Sequence, residues 1–491
     1  MTKAPLLSLL IASLAASGAA RASVDLIATA TIDGGLYDLA TQTAAPLENG
    51  VPGNLLGGIG SGLAYAGGTT FLALPDRGPN AVPYAADVDD TVSYIARFQT
   101  LNLSLSLSPT PSEFEGKELP FTLTPTLCAT TLLSSPTALV YGSGAGLFTD
   151  DDQPLGSGVP ALNAVNHTNY FTGRSDNFDP GQLSTYPKDA RIDPESIRVS
   201  RDGAHVFVSD EYGPYVYEFN RETGKRTRSF TLPDNLAIDV LSPRKDVEIA
   251  SNTVGRTTNK GMEGLAITPD GKLLVGIMQA NLKQDDTGNL RIVTIDTRTG
   301  ETHEYAYLLT DGSGVSEILA VNDHQFLVDE RDGKGMADTP LPTDKASAAK
   351  VKKLYLIDLD GAQDVTSLSG NLSPYAVAKT KTPFLDIVAN LKSHGVDPLF
   401  IPSKIEGIAF GPDVVIDGVT KHTLFVANDN DFLATIADPS EPACTEGNPC
   451  SRGTVSNPNL FYVFAFDDAD LPGYVPQAIS EKKPLACSTG N

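Results

Sequence analysis

The apolar and polar positions of this chain repeat as a four-part unit. One copy opens Glu195-Ser-Ile-Arg-Val-Ser200, turns at Asp202-Gly203, and continues His205-Val-Phe-Val-Ser-Asp-Glu211. It then reads Tyr215-Val-Tyr-Glu-Phe-Asn220, turns at Thr223-Gly224, and ends in a run over 226–232. β-Branched and aromatic residues fill the runs, and Asp-Gly or Thr-Gly punctuates them. Each unit is therefore predicted as four antiparallel strands.

Three further copies are clear. They open at Glu263-Gly-Leu-Ala-Ile267, Glu317-Ile-Leu-Ala-Val321 and Glu406-Gly-Ile-Ala-Phe410. A degenerate copy opens at Ser61-Gly-Leu-Ala-Tyr65 and continues over 70–77. A sixth is predicted over 94–133, and the runs 24–32 and 36–40 are predicted to complete the last unit and close a ring. The expected fold is all-β: a single β-propeller of six blades, each of four antiparallel strands, with five or seven blades admitted. Long insertions at 134–188 and 332–350 are expected as loops on one face. A solenoid fits less well, because each unit holds four strands rather than one coil.

The N-terminus changes the picture of location. Lys3, an apolar run over 6–20 and Ala20-Arg-Ala22 match an export signal, so residues 1–22 are expected to be removed and 23–491 to form one domain. The run is too short to span a bilayer comfortably, and no later segment is apolar for as long. A secreted or periplasmic, monomeric protein without membrane insertion is expected. Without Lys3 and Arg21, 34 basic residues face 60 acidic ones, a net charge of −26. That balance disfavours nucleic acid and anionic membranes as partners. An oxidising compartment favours disulfides among Cys128, Cys444, Cys450 and Cys487. Cys444 and Cys450 bracket a turn-rich stretch and are paired on that ground, which leaves Cys128 with Cys487. A zinc site is the weaker alternative, since no His lies near these cysteines.

The candidate chemistry is a ring of carboxylates. The first strand of a propeller blade lines the central channel, so Glu195, Glu263, Glu317 and Glu406 are expected to converge on the axis. The second strands add a column of Asp76, Asp210, Met278, Asp329 and Asn428, followed by Arg77, Glu211, Gln279, Glu330 and Asp429. Crowded carboxylates repel unless a cation compensates. Hard oxygen donors suit Ca²⁺, and Lys260, Lys404, Arg77 and Arg331 stand beside the same columns. The plainer reading is that each Glu caps backbone N–H groups or pairs with a neighbouring Arg. Asp202-Gly203 and Asp270-Gly271 are turn residues. His205 reads as packing, and His167, in the long insertion, as a residue at a site mouth. No Gly-x-Ser-x-Gly elbow, His-Glu-x-x-His or P-loop is present, so a serine-hydrolase reading is weak.

Several of these segments resemble the phytase-like family, "esterase-like activity of phytase". They are Leu74-Pro-Asp-Arg-Gly-Pro79, Asp193-Pro-Glu-Ser-Ile197, Val208-Ser-Asp-Glu-Tyr-Gly213, Lys260-Gly-Met-Glu-Gly-Leu-Ala266, Phe326-Leu-Val-Asp-Glu-Arg-Asp332 and Lys404-Ile-Glu-Gly-Ile-Ala409. The resemblance runs from about Gly57 to Asp467 and implies a secreted propeller that hydrolyses ester or phosphoester bonds. More distantly, the Glu-Gly-Leu-Ala pattern is similar to the gluconolactonase and regucalcin group, which implies an axial divalent ion.

Together these readings predict a divalent-cation-dependent hydrolase, calcium being the expected ion, acting on a small anionic ester at the axial face. Candidate catalytic groups are Glu195, Glu263, Glu317, Glu406, Asp210 and Glu330. Candidate metal ligands are Asp76, Asp210, Glu263, Asp329, Glu406 and Asp429. Arg77, Lys260, Arg331 and Lys404 are the candidate substrate contacts. The alternatives are a non-catalytic, calcium-stabilised binding propeller and a lactonase.

Overall fold

The computed structural model describes residues 24–81, 88, 92–142, 156–213, 215–338, 340–444, 452–480 and 487. The expected export signal and Cys450 lie outside the described residues. Five antiparallel sheets form the blades. Blade 1 holds Gly62–Tyr65, Thr70–Leu74, Arg97–Phe114 and Lys117–Leu132. Blade 2 holds Pro194–Val199, His205–Asp210, Tyr215–Asn220 and Arg226–Phe230. Blade 3 holds Met262–Ile267, Leu273–Met278, Asn289–Asp296 and Thr302–Leu308. Blade 4 holds Gly314–Ala320, Gln325–Arg331 and Lys352–Asp358, with Ala378–Lys379 and Leu385–Asp386 sharing its outer edge. Blade 5 holds Ile405–Ile416, Val419–Asn428, Asn459–Phe466 and Asp25–Ile32. The inner strands pack in sequence order, and the fifth returns to the first.

The propeller therefore has five blades, not six. The stretch read as a sixth unit supplies the two outer strands of blade 1, reached by an excursion after Leu74. Asp25–Ile32 closes the ring by pairing with Asn459–Phe466. The run 36–40 adds no blade strand; Tyr37 makes only an isolated bridge to Leu55.

Period-2 alternation explains why the runs are so apolar. Both faces of a blade are buried, one against each neighbour. Val206 and Val208 face blade 1 and pack with Leu72, Leu74 and Phe98. Phe207, between them, faces blade 3 and packs with Leu265 and Leu274. Similar clusters fill the other three blade junctions. Each blade thus shares two small cores, which lets a long chain fold as one ring.

Bulges set which side chains reach the axis. Ile408 pairs with Val426, Ile318 with Val328, Leu265 with Gly276, Ile197 with Val208 and Leu63 with Ala73. Two residues before these anchors, the pairing slips in blades 2 to 5. The bulged residue is Glu263 in blade 3, Ser316 in blade 4 and Glu406 in blade 5. In blade 2, Glu195 and Ser196 together oppose one residue. A bulge leaves its extra residue unpaired and re-aims its side chain.

Two sequence expectations are corrected by this register. Glu317 does not belong with Glu195, Glu263 and Glu406; Ser316 does. Glu317 stands one residue on, level with Gly264 and Gly407. A Cβ at Gly264 would lie 2.8 Å from the Ile318 backbone nitrogen, so that level is tightly packed. In the second strands, Asp76 is level with Glu211, Gln279, Arg331 and Asp429, whereas Asp210 is level with Glu330 and Asn428, and Asp329 sits one level further in. A one-residue slip turns a strand side chain to the opposite face.

The connection 134–188 joins an outer strand to an inner one, and 332–350 joins a second strand to a third. In an antiparallel blade both leave from the face where inner strands begin. The opposite end of the axis is crossed by the C-terminal segment. Tyr474, Pro476 and Gln477 close it together with Tyr65, Ile267, Ala320 and Phe410 from four blades, leaving about 50 Å³. Val475 donates to Val321, Gln477 to Val199 and Ser480 to Arg201, and a Cys487–Cys128 disulfide ties the segment to blade 1. Cys444 is disulfide-bonded.

Candidate functional site

At the end of the axis where the inner strands begin, here called the mouth, buried charged side chains gather in two halves that differ. On the side of blades 2 and 3, Asp193, Glu195 and Glu211 each bring a carboxylate oxygen within 4.8 Å of the others, and all three are buried. Asp193 comes from the turn before the first strand of blade 2, Glu195 from the bulge, and Glu211 from just past the second strand. Asp193 accepts from the Arg77 backbone nitrogen at 3.1 Å and pairs with the Arg77 guanidinium. Glu211 accepts from the Gly261 nitrogen at 2.8 Å. Among the described residues no donor reaches the Glu195 carboxylate.

The electrostatics follow from that crowding. Burial, then the charges of Glu263, Asp193, Glu211 and Asp76, push the Glu195 carboxyl well above the usual range. Burial, then Glu263 and Asp193, do the same to Glu211. Carboxyls left in this state either hold protons or are discharged by a cation. The donors are all hard oxygens with no His or Cys among them, which fits Ca²⁺, Mg²⁺ or Mn²⁺ and not a thiophilic metal. The cluster is thus able to bind a divalent ion.

On the side of blades 4 and 5 the compensation is built in. Arg331 Nη2 donates to Glu406 at 2.6 Å and to Glu263 at 3.2 Å. Lys404 Nζ donates to Asp429 at 2.9 Å and pairs with Asp431. Glu406 is pushed up to about 8 by burial, against the pull of Arg331 and Lys404. Asp76 is pushed well up by burial and by Asp429.

The sequence-predicted residues therefore divide. Glu195, Glu263, Glu406, Asp76, Asp429, Arg331 and Lys404 meet at the mouth. Glu317 lies deeper, where its carboxylate accepts from Ser196 Oγ, from the Leu265 nitrogen and from Arg198 at 2.8 Å. Glu330 points away from the axis; it pairs with Lys379 and accepts from Tyr307 Oη at 2.6 Å and the Asp311 nitrogen at 2.6 Å. Asp210 accepts from the backbone nitrogens of Asp193 and Tyr212, at 3.0 Å each, so it shapes the turn that carries Asp193 and Glu211. Asp329 accepts from Ser316 Oγ at 2.9 Å, inside the ring. Arg77 is committed to Asp193, and Lys260 is exposed to solvent.

Asp193 and Glu211 were absent from the predicted ligand set. Asp193-Pro-Glu195 and Asp210-Glu211 carry the acids in the sequence, but only the fold shows that the two pairs face each other.

The chain is 30% identical over 292 residues to an uncharacterized secreted protein of Arthroderma benhamiae, covering 52% of each. It thus spans about half the length of that curated relative. Among solved structures, hydrazine synthase of Kuenenia stuttgartiensis matches at 10% identity and a TM-score of 0.30, covering 76% of this chain and 78% of that one. A putative 6-phosphogluconolactonase of Bacteroides uniformis matches at 11% and 0.30, covering 77% and 79%. Likenesses this loose carry no argument about activity. No described helix is long and apolar enough to cross a membrane. Residues 54–432 match the phytase-like family, described as esterase-like activity of phytase, and the chain belongs to that family.

Proposed function

We propose that this is a secreted or periplasmic hydrolase, exported by residues 1–22, that cleaves a small anionic ester, phosphate monoesters included, with the help of a divalent cation at the axial mouth. The observation that carries the reading is the buried trio Asp193, Glu195 and Glu211, in which Glu195 has no donor among the described residues. Calcium is the proposed ion, since all three donors are carboxylates.

Asp193, Glu195 and Glu211 would hold the ion. A divalent cation there supplies Lewis-acid polarisation of an ester oxygen and acidifies a water molecule. The chain's own groups complete the site. Arg77 fixes Asp193, and the Gly261 nitrogen fixes Glu211. Arg331 and Lys404 lower the negative field across the mouth, so that an anionic substrate is not turned away. Glu406 Oε1 is taken by Arg331, leaving Oε2 to carry a proton to a departing alkoxide.

A panel of p-nitrophenyl phosphate, p-nitrophenyl acetate, phytate and lactones, assayed with Ca²⁺ and with EDTA, tests this. Ester turnover that EDTA abolishes is expected. No turnover on any substrate, or turnover indifferent to EDTA, overturns it. One observation favours a second reading: the Arg331 and Lys404 side chains are already engaged by carboxylates. A non-catalytic propeller would show a Ca²⁺-raised melting temperature with no turnover.

A further inference from the structure

Glu211 is held from outside its own blade. Residues 231–261 join the outer strand of blade 2 to the inner strand of blade 3, so they end at the mouth. The Gly261 nitrogen donates to Glu211 Oε1 at 2.8 Å. A Cβ at Gly261 would lie 2.4 Å from the Glu211 carbonyl oxygen, so the two backbones are in contact. Earlier in the same connection, Arg256 turns into the protein and is 1% exposed. Its Nε donates to the Tyr212 carbonyl at 2.6 Å, and its Nη1 to Glu248 Oε1 at 3.1 Å.

These contacts bear on the peptide that carries Glu211. The Glu211 nitrogen donates to the Asp193 carbonyl at 2.9 Å. The Tyr212 nitrogen donates to Asp210 Oδ1 at 3.0 Å, and Tyr212 Oη to the Gly173 carbonyl at 2.8 Å. Arg256 holds the remaining polar group, the Tyr212 carbonyl, through a charge-assisted hydrogen bond away from water, the strong kind. Glu248 keeps the guanidinium in place. It is 1% exposed and also accepts from Thr258 Oγ1 at 2.8 Å and the Ser242 nitrogen at 3.0 Å.

We infer that Arg256 is a positioning residue for the ion site: through the Tyr212 carbonyl it sets where the Glu211 carboxylate stands against Asp193 and Glu195. This rests on the reading of Asp193, Glu195 and Glu211 as that site. Their oxygens lie within 4.8 Å of one another, and Glu195, 8% exposed, is reached by no donor among the described residues.

The direction of the effect separates three roles. If Arg256 acted through its charge alone, its removal would deepen the negative field and tighten the binding of a divalent cation. If it were only a support for the fold, its removal would lower the melting temperature and leave ion affinity unchanged. A residue that holds a ligand in place predicts weaker binding, typically by about 10–100-fold.

The test is Ca²⁺ titration of the EDTA-treated full chain by calorimetry, with melting curves in parallel. Arg256→Met is expected to weaken Ca²⁺ binding about 10–100-fold. Glu248→Gln keeps an acceptor for Arg256, and so is expected to lower the melting temperature without changing Ca²⁺ affinity. Arg256→Met combined with Glu248→Gln removes the two buried charges together, and is expected to bind as weakly as Arg256→Met. If Arg256→Met does not fold, the double variant is read in its place, and a double variant that also fails to fold overturns the inference. An Arg256→Met protein that binds Ca²⁺ as tightly as the unaltered chain, or more tightly, overturns it while the ion site stands. An unaltered chain that binds no Ca²⁺ overturns the ion site and this inference with it.

Discussion

Arg198 of blade 2 meets Glu317 of blade 4 inside the ring, Nη2 to Oε2 at 2.8 Å, although blade 3 separates the two sheets in sequence. Both side chains are buried. Arg198 also donates to the Leu63 and Ile318 carbonyls, so one guanidinium joins blades 1, 2 and 4. The pair lies deeper in the ring than Glu195, Glu263 and Glu406, and its contacts are those of a cross-ring brace. Glu317→Ala leaves a buried guanidinium without its counter-charge, which typically costs about 3–5 kcal/mol. A fall of that order in urea-unfolding free energy, with calcium stoichiometry unchanged, is the expected outcome. A change in stoichiometry at unaltered stability would place Glu317 at the metal instead.

Glu195→Gln and Glu211→Gln should remove calcium binding while keeping the fold. Both substitutions preserve shape and delete a charge in a crowded acid cluster, so the calcium-free protein should be no less stable. In a thermal shift assay the Ca²⁺-induced rise in melting temperature should vanish in each variant. A rise that persists would assign the ion elsewhere.

Stability without metal should fall as pH rises. Burial pushes Glu317, Asp329 and Asp189 each up to about 7. Unfolded carboxyls titrate near 4. Between those values the folded protein binds more protons than the unfolded chain, so these groups favour folding below the unfolded value, and that contribution is lost as pH climbs through about 7. Glu248 has the opposite sign, because Arg256 and Arg191 outweigh its burial and hold it low. Its contribution is already complete above the ordinary Glu value. Urea midpoints in EDTA between about pH 5.5 and 8 should therefore decline steadily. A flat or rising series would contradict the assignment.

Cys487→Ser should destabilise the protein through the C-terminal strap. The disulfide closes a separation of 359 residues, and Tyr474 packs its ring on Phe410, His422 and Phe466. Loss of a native disulfide typically costs about 2–5 kcal/mol. Hydrogen exchange should rise first at the Val475 and Ser480 amides, which donate to the Val321 and Arg201 carbonyls. Exchange unchanged there would show that the other contacts suffice to hold the strap.

The propeller was legible in the chain because its cause is local. Period-2 alternation, β-branched runs and Asp-Gly turns specify a strand meander wherever they occur, and the repeated Glu marked the inner strands. The blade count was not legible. Blade 1 draws its outer strands from across an excursion, and spacing alone does not distinguish that from a further unit. The disulfide of Cys128 with Cys487 followed from the cysteine count and the pairing of the other two.

The carboxylate ring was half legible, for the same kind of reason. Similar short sequences aligned Glu317 with Glu263, and Asp329 with Asp210. The bulges shifted the true register by one residue, which exchanges channel-facing and inward positions. The amino-acid sequence by itself determined that acids would gather at the inner strands of a propeller. Only the tertiary structure decided which acids meet. Bulge position, and the closeness of neighbouring inner strands at Gly264 and Gly407, are settled when blades pack. That packing put Asp193 and Glu211 beside Glu195, gave Arg331 to Glu263 and Glu406, and set Lys404 among the rest.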